Sequence, residues 1–163
     1  SKVFQGILRV KPRSCQREDS MVKLWAHETA RCFHDRLIDT GDKEYFYGKM
    51  GELFKTVFST NLDPIQVFRD KPVMFGDYMK GVGVPKEDRL YEEISDKKKQ
   101  QKVLDDFLDD FNLNTSKPMP LVLFMDCVNH VSRIARVIRQ KRGNALLVGV
   151  GGCGKHMSWS ICV

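Results

Sequence analysis

The sequence predicts a mainly α chain that closes on the opening strand and glycine turn of an incomplete α/β unit. Three observations carry this. Apolar residues recur at helical spacing in successive stretches up to Arg139. A short apolar run, Asn144-Ala145-Leu146-Leu147-Val148, is bounded by glycines and reads as a buried strand. A glycine-rich turn ending in Lys155 follows it at once.

Taken in order, the first clear element spans Ser20 to Asp39. Ser20 is a good N-cap, because its hydroxyl can accept from an exposed backbone N–H. Val22, Trp25, Ala26, Ala30, Phe33 and Leu37 form its apolar face, and Gly41 supplies the stop. A second helix spans Asp42 to Ser59, with Phe46, Met50, Leu53, Phe54 and Val57 inward. Gly48 and Gly51 weaken it. From Asn61 to Asp88, Pro64, Pro72, Gly76, Gly81, Gly83 and Pro85 punctuate short apolar runs. This reads as a connector, with Val73-Met74-Phe75 packed against a neighbouring element.

A helical stretch starts near Asp88 and restarts after Ser95, burying Val103, Leu104, Phe107, Leu108 and Phe111. Lys97-Lys98-Lys99 lies near its start, and Asp105, Asp106, Asp109 and Asp110 near its end. That order opposes the helix dipole, so tertiary contacts must help hold it. After Pro118 and Pro120 a last helix spans Leu121 to Arg139. Phe124, Val128, Val131, Ile134, Ala135 and Ile138 lie on one face and Arg133, Arg136 and Arg139 on the other. Gly143 ends it.

The bulk numbers agree with a globular protein: 163 residues, 42% hydrophobic and 29% charged. A formal charge of +6 suits an anionic partner such as nucleotide, nucleic acid or microtubule, without choosing among them. The five cysteines, Cys15, Cys32, Cys127, Cys153 and Cys162, are odd in number and show no CxxC spacing. Reduced thiols in an intracellular protein are the better reading. No apolar run is long enough to span a membrane. Residues Ser1 to Val10 lack a signal-peptide core. The chain does not begin with Met, so it reads as cut from something longer.

Gly149-Val150-Gly151-Gly152-Cys153-Gly154-Lys155 matches GxxxxGK and follows a predicted strand, which is the context that motif demands. The glycines let successive backbone N–H groups turn inward onto phosphate oxygens. The helix that normally follows aims its positive end at them. Lys155 reaches the β- and γ-phosphates as a point charge. Position 156 departs from the pattern. Ser or Thr there holds magnesium through its hydroxyl, whereas His156 offers an imidazole to an ion that prefers oxygen. Nucleotide binding without hydrolysis is the expectation, and a ligand-free glycine turn is its bland alternative.

Around this motif the chain resembles a known family. Leu121-Val122-Leu123-Phe124-Met125-Asp126, His130, Arg133-Ile134, Arg136 and Arg142 through Gly152 resemble the opening of the fourth AAA+ module of dynein heavy chains. The Gly-Val-Gly-Gly form is similar to the axonemal type. Upstream, Val3-Phe4-Gln5-Gly6-Ile7-Leu8, Leu24-Trp25-Ala26-His27-Glu28 and Asp35-Arg36-Leu37 are similar to the helical lid of the third module. Phe75-Gly76-Asp77-Tyr78-Met79 resembles the segment leading into the fourth. The resemblance implies a helical AAA+ lid over residues 1–60, a linker with helices over 61–118, and the N-terminal part of a P-loop AAA+ module over 119–163, truncated after the Walker A loop.

It also implies ATP or ADP with Mg2+ at Gly149, Val150, Gly151, Gly152, Cys153, Gly154, Lys155 and His156, with the base near Leu121 to Phe124. The fourth module of the six is similar to a regulatory site, not the main hydrolytic one. Implied partners are neighbouring AAA+ modules of the same heavy chain and, through the whole protein, dynein intermediate and light chains and microtubules. Neither nucleic acid nor membrane is implied, and the implied location is the cytoplasm, the cytoskeleton and the ciliary axoneme. His156-Met157-Ser158-Trp159-Ser160-Ile161-Cys162-Val163 departs from the family and reads as an altered end that removes the helix completing the phosphate site. The isolated chain is therefore expected to bind ATP weakly or not at all. The alternative is a non-catalytic helical fragment that binds no nucleotide alone. A small P-loop kinase is disfavoured, because its substrate lid and later strands have no counterpart here.

Other candidates read as ordinary structure. His27-Glu28-Thr29-Ala30-Arg31 is one residue from a zinc-protease pattern, but Arg31 cannot ligate a metal, and a solvated or interface-facing polar side is the better account. Arg31 or Arg36 touching a neighbouring module's nucleotide is weighed against surface ion pairs. Leu121 to Asp126 superficially copies a Walker B strand, yet it precedes the P-loop. Arg133, Arg136, Arg139, Lys141 and Arg142 make a basic face, read as solvated or inter-module rather than as binding nucleic acid or calmodulin. His34 and His130 read as ordinary helix residues. Cys153, inside the loop, sits where an anion site can depress a thiol's pKa.

Overall fold

The structure, a computed structural model, describes residues 2–8, 18–140 and 142–149, with the side chain of Lys86 set aside. The chain divides into two compact units: Ser1–Phe75 with Tyr91–Ser95, and Gly76–Leu90 with Asp96–Val163. Both are mainly helical, as the apolar spacing predicts. The described strands are β1 (Phe75–Gly76) and β2 (Glu92–Glu93), two residues each, paired in a two-stranded sheet.

In unit one, α1 (Lys2–Ile7) packs on α2 (Glu18–Cys32), and α3 (Thr40–Thr56) follows. The expected helix from Ser20 to Asp39 is shorter and starts earlier. Ser20 lies inside α2, whose first turn holds Glu18 and Asp19, carboxylates that the helix dipole favours there. α2 ends at Cys32, and His34–Arg36 form a 3-10 turn closed by the Leu37 N–H on the His34 carbonyl. Leaving the α register lets the His34 ring meet Tyr47, with Nε2 3.0 Å from the phenol oxygen and the two rings stacked. Phe33, expected inside, is 55% exposed.

Gly41 is not a stop. It sits in the first turn of α3, and its N–H donates to Oδ1 of Asp39, the true N-cap. The buried stripe of α3 is Tyr47, Met50 and Phe54. Leu53 and Val57, expected inside, are 37% and 64% exposed. Leu53 lies about 100° round the helix from Phe54, and Val57 is the C-cap, beyond the last helical residue. Phe54 and Met50 join Val22, Ala26 and Val67 in the main core, flanked by Trp25, Phe46, Phe58 and Phe68. Full burial of a side chain such as Phe54 stabilises by about 1.5–3 kcal/mol. The connector contains a π-helical turn, Gln66–Asp70, that the sequence does not announce. Val73-Met74-Phe75 packs as expected. Met74 and Phe75 are buried, and Phe75 joins Leu24 and Tyr91 in a second cluster.

In unit two the helix expected near Asp88 is only a 3-10 turn, Lys86–Asp88. Gly81 and Gly83 turn the chain before it at φ 87° and 82°, a backbone region glycine enters without a Cβ clash. α4 (Lys97–Asn114) begins after Asp96, whose Oδ1 accepts from the N–H groups of Lys98 and Lys99 at 2.9 and 3.1 Å. That cap supplies, at the lysine-rich end, the negative group the dipole favours. α5 (Met125–Arg139) starts later than expected. Leu121–Phe124 is not helical, Phe124 is extended, and exposure alternates: Val122 is 87% exposed, Leu123 is 1%, and Phe124, expected on the buried face, is 63%.

Arg136, placed by spacing on the outer face of α5, is buried, because it continues the stripe of Val128 and Ser132. The unit's interior also holds a directional polar chain. The Ser132 hydroxyl donates to the Val128 carbonyl at 2.7 Å, so Tyr78 donates to Ser132 at 2.6 Å. The Gln100 amide donates to both oxygens, at 2.9 and 3.1 Å. The expected strand Asn144–Val148 does not form a strand among the described residues. Leu146 and Val148 are 89% and 85% exposed.

Candidate functional site

Of the predicted phosphate-loop residues, Gly149 is described and lies exposed directly after Val148. Val150, Gly151, Gly152, Cys153, Gly154, Lys155 and His156 lie outside the described residues. The segment assigned to the base is described in full. The Leu123 carbonyl accepts from Gln101 Nε2 at 2.7 Å, and the Phe124 carbonyl accepts the Val128 N–H at 3.0 Å as α5 begins. Anchored on both sides of the backbone, the segment buries Leu123 and presents Val122 and Phe124 outward as an apolar strip.

Asp126 falls in the first turn of α5, where the dipole favours a carboxylate, not at a strand end. The resemblance to a Walker B strand therefore fails on geometry. The basic face expected on α5 is split. Arg133 is exposed, Arg136 is buried, and Arg139 pairs with Asp77 at 3.6 Å.

Unit one corrects a second expectation. His27 and Glu28, placed on a solvated or interface-facing polar side, are 2% and 0% exposed. His27 Nδ1 lies 3.0 Å from the Val73 carbonyl, and Glu28 Oε1 accepts the Tyr91 hydroxyl at 2.6 Å. Gly6 of α1 abuts the Glu28 carboxylate so closely that a Cβ there would overlap it. Arg31 pairs with Asp35 at 3.0 Å, an i,i+4 pair along the chain. His34, read as an ordinary helix residue, is the partner of Tyr47. Burial pushes the Tyr47 phenol up, Glu44 adds to this, and Arg69 opposes it. Apart from the i,i+4 pair Arg31–Asp35, none of these pairings has a local spacing signal; HE-x-x-R marks only the helix.

Among the described residues no group of His, Cys, Asp and Glu could hold a metal ion, and no helix is long and apolar enough to cross a membrane. Cys32 and Cys127 are free thiols, and burial pushes the Cys127 thiol up.

Comparison with known proteins identifies both ends. Residues 1–43 match the family model "Dynein heavy chain, ATPase lid domain", and residues 119–162 match "P-loop containing dynein motor region D4". Human dynein axonemal heavy chain 6 is 48% identical over 156 residues, which is 96% of this chain. This chain belongs to the axonemal dynein heavy chain family. Human dynein axonemal heavy chain 2 is 40% identical across 99% of the chain, and mouse dynein axonemal heavy chain 3 is 35% identical across 96%. The chain spans about 4% of the length of these relatives. It is a segment of the family's motor region. The D4 match encloses Leu121–Phe124 and the GxxxxGK residues, and the lid match encloses α1 and α2.

Proposed function

We propose that Gly149, Val150, Gly151, Gly152, Cys153, Gly154, Lys155 and His156 form the phosphate side of a nucleotide site in the fourth AAA+ module of an axonemal dynein ring. The observation that carries this is GxxxxGK lying inside the stretch that matches the P-loop region D4. The ligand is ATP or ADP with Mg2+. The donor set suits phosphate, since glycine N–H groups and Lys155 supply positive charge. It suits magnesium poorly, because His156 stands where a hydroxyl is needed. Binding without appreciable hydrolysis follows. Val122 and Phe124, exposed ahead of α5, offer an apolar surface to the base.

Residues 1–60 act as the lid of the third module, 61–118 as the linker, and 119–163 as the start of the fourth. The nearest partners are the neighbouring AAA+ modules of the same heavy chain. Intermediate and light chains and microtubules are engaged through the whole protein, in the cytoskeleton of the ciliary axoneme.

The test is photolabelling of an intact motor ring bearing this segment with azido-ATP, read at peptides from this loop. Lys155→Ala is expected to lower labelling at least tenfold while the other ring sites label as before. Equal labelling of parent and variant would overturn the phosphate-loop reading.

A further inference from the structure

In unit two, Asp77, Arg89 and Arg139 stand around a shallow recess open to solvent, whose apolar wall includes Leu104, Phe107 and Val131. Arg89 is held in place from two sides. Its Nε donates to the Val84 carbonyl at 3.0 Å, and its guanidinium lies 5.7 Å from the centre of the Phe107 ring. Arg139 reaches Asp77 at 3.6 Å, a loose contact for an ion pair, and both side chains are largely buried. Two guanidinium groups and one carboxylate thus line one recess, with Arg139 paired to Asp77 and Arg89 within reach of their charges. The repulsion between the guanidinium groups is felt. Burial and then Arg139 lower the Arg89 pKa, and Asp77 opposes them.

We propose that this recess docks a carboxylate side chain, flanked by an apolar residue, on the surface of a partner protein. Charge complementarity selects the occupant. The three charged groups sum to a single positive charge, which one carboxylate neutralises and a phosphate dianion overshoots. Guanidinium forks match carboxylates in a bidentate geometry. The Leu104, Phe107 and Val131 wall takes the neighbouring apolar group. Asp77 competes for the same arginines, so the site is held short of full strength until the partner carboxylate arrives.

The test is titration of the whole chain with a capped Leu-Glu-Phe tripeptide and its Leu-Gln-Phe counterpart, followed through the side-chain N–H signals of Arg89 and Arg139. The glutamate peptide is expected to bind at least tenfold tighter than the glutamine peptide and to shift both signals. Arg89→Gln and Arg139→Gln are each expected to weaken binding at least tenfold. Asp77→Asn is expected to tighten it several-fold, a gain that misfolding cannot produce. Equal binding of the two peptides, weaker binding by Asp77→Asn, or inorganic phosphate shifting the same signals at lower concentration would each overturn the proposal.

Discussion

Tyr91 donates its hydroxyl proton to the Glu28 carboxylate across 2.6 Å inside unit one, although the two residues are 63 positions apart. The carboxylate is fully buried, beneath Gly6 and beside His27. A buried anion of this kind is tolerated only when donors replace the water it has lost. Tyr91→Phe keeps the ring in its cluster with Leu24 and Phe75 but removes the donor. The expected loss is about 1.5–3 kcal/mol, the range for hydrogen bonds to charged groups. Urea unfolding followed by Trp25 fluorescence, in a Trp159→Phe background, measures it. A change within error would show that the bond contributes nothing net.

The absence of a side chain at Gly6 is what lets α1 approach α2. Gly6→Ala places a methyl group on the Glu28 carboxylate. Overpacking at such a contact costs about 1–3 kcal/mol. The change should appear as faster hydrogen exchange across α1, with α4 and α5 unchanged. Unaltered exchange in α1 would show that the helix shifts without penalty.

Asp96 caps α4 with two backbone hydrogen bonds. Asp96→Ala should cost about 0.5–2 kcal/mol, and Asp96→Asn much less, because the amide oxygen still accepts. Thermal melting by circular dichroism orders the three proteins. If the alanine and asparagine variants melt together, the cap is not the cause.

Asp105 has a carboxyl pushed above its usual value, first by burial and then by Asp109 and Asp106. Raising an acid's pKa on folding means the folded chain holds its proton more tightly than the unfolded chain. The resulting stability is full below the unfolded value of about 3.8 and is lost as pH rises through the folded value. Asp105→Asn removes the ionisation. It should raise the melting temperature by a few degrees at neutral pH and leave it unchanged near pH 3. An equal gain at both pH values would point to packing instead of charge.

His156→Ser restores the hydroxyl that the P-loop pattern uses for magnesium. In the intact ring it should strengthen Mg-ATP binding several-fold at this loop and leave metal-free binding unchanged. A gain that persists in EDTA would place the effect on the phosphates and not on the metal.

Sequence spacing alone located most of the helical mass. The stripes through Val22 and Ala26, Met50 and Phe54, Val103 and Leu104, and Val128 and Val131 are inside as their periodicity requires. Helix ends were less legible. Ser20 and Gly41 have the chemistry of a cap and a stop, but Asp39 takes the cap of α3 and His34 leaves its helix for Tyr47. Polar burial was not legible at all. His27, Glu28, Gln100, Ser132 and Arg136 read as outward-facing or went unremarked, and each is buried.

What the sequence by itself determined is what short spacing encodes. The helical class, the GxxxxGK phosphate signature and the ordered segments that place the chain among axonemal dyneins all depend on residues close together along the chain. What only the tertiary structure decided is which polar groups lie inside. Glu28 is buried because Tyr91 arrives from a distant segment, and Ser132 because Tyr78 and Gln100 converge on it. Burial of a charge or hydroxyl is stable only when a partner meets it in space, and no periodicity along the chain records where that partner comes from.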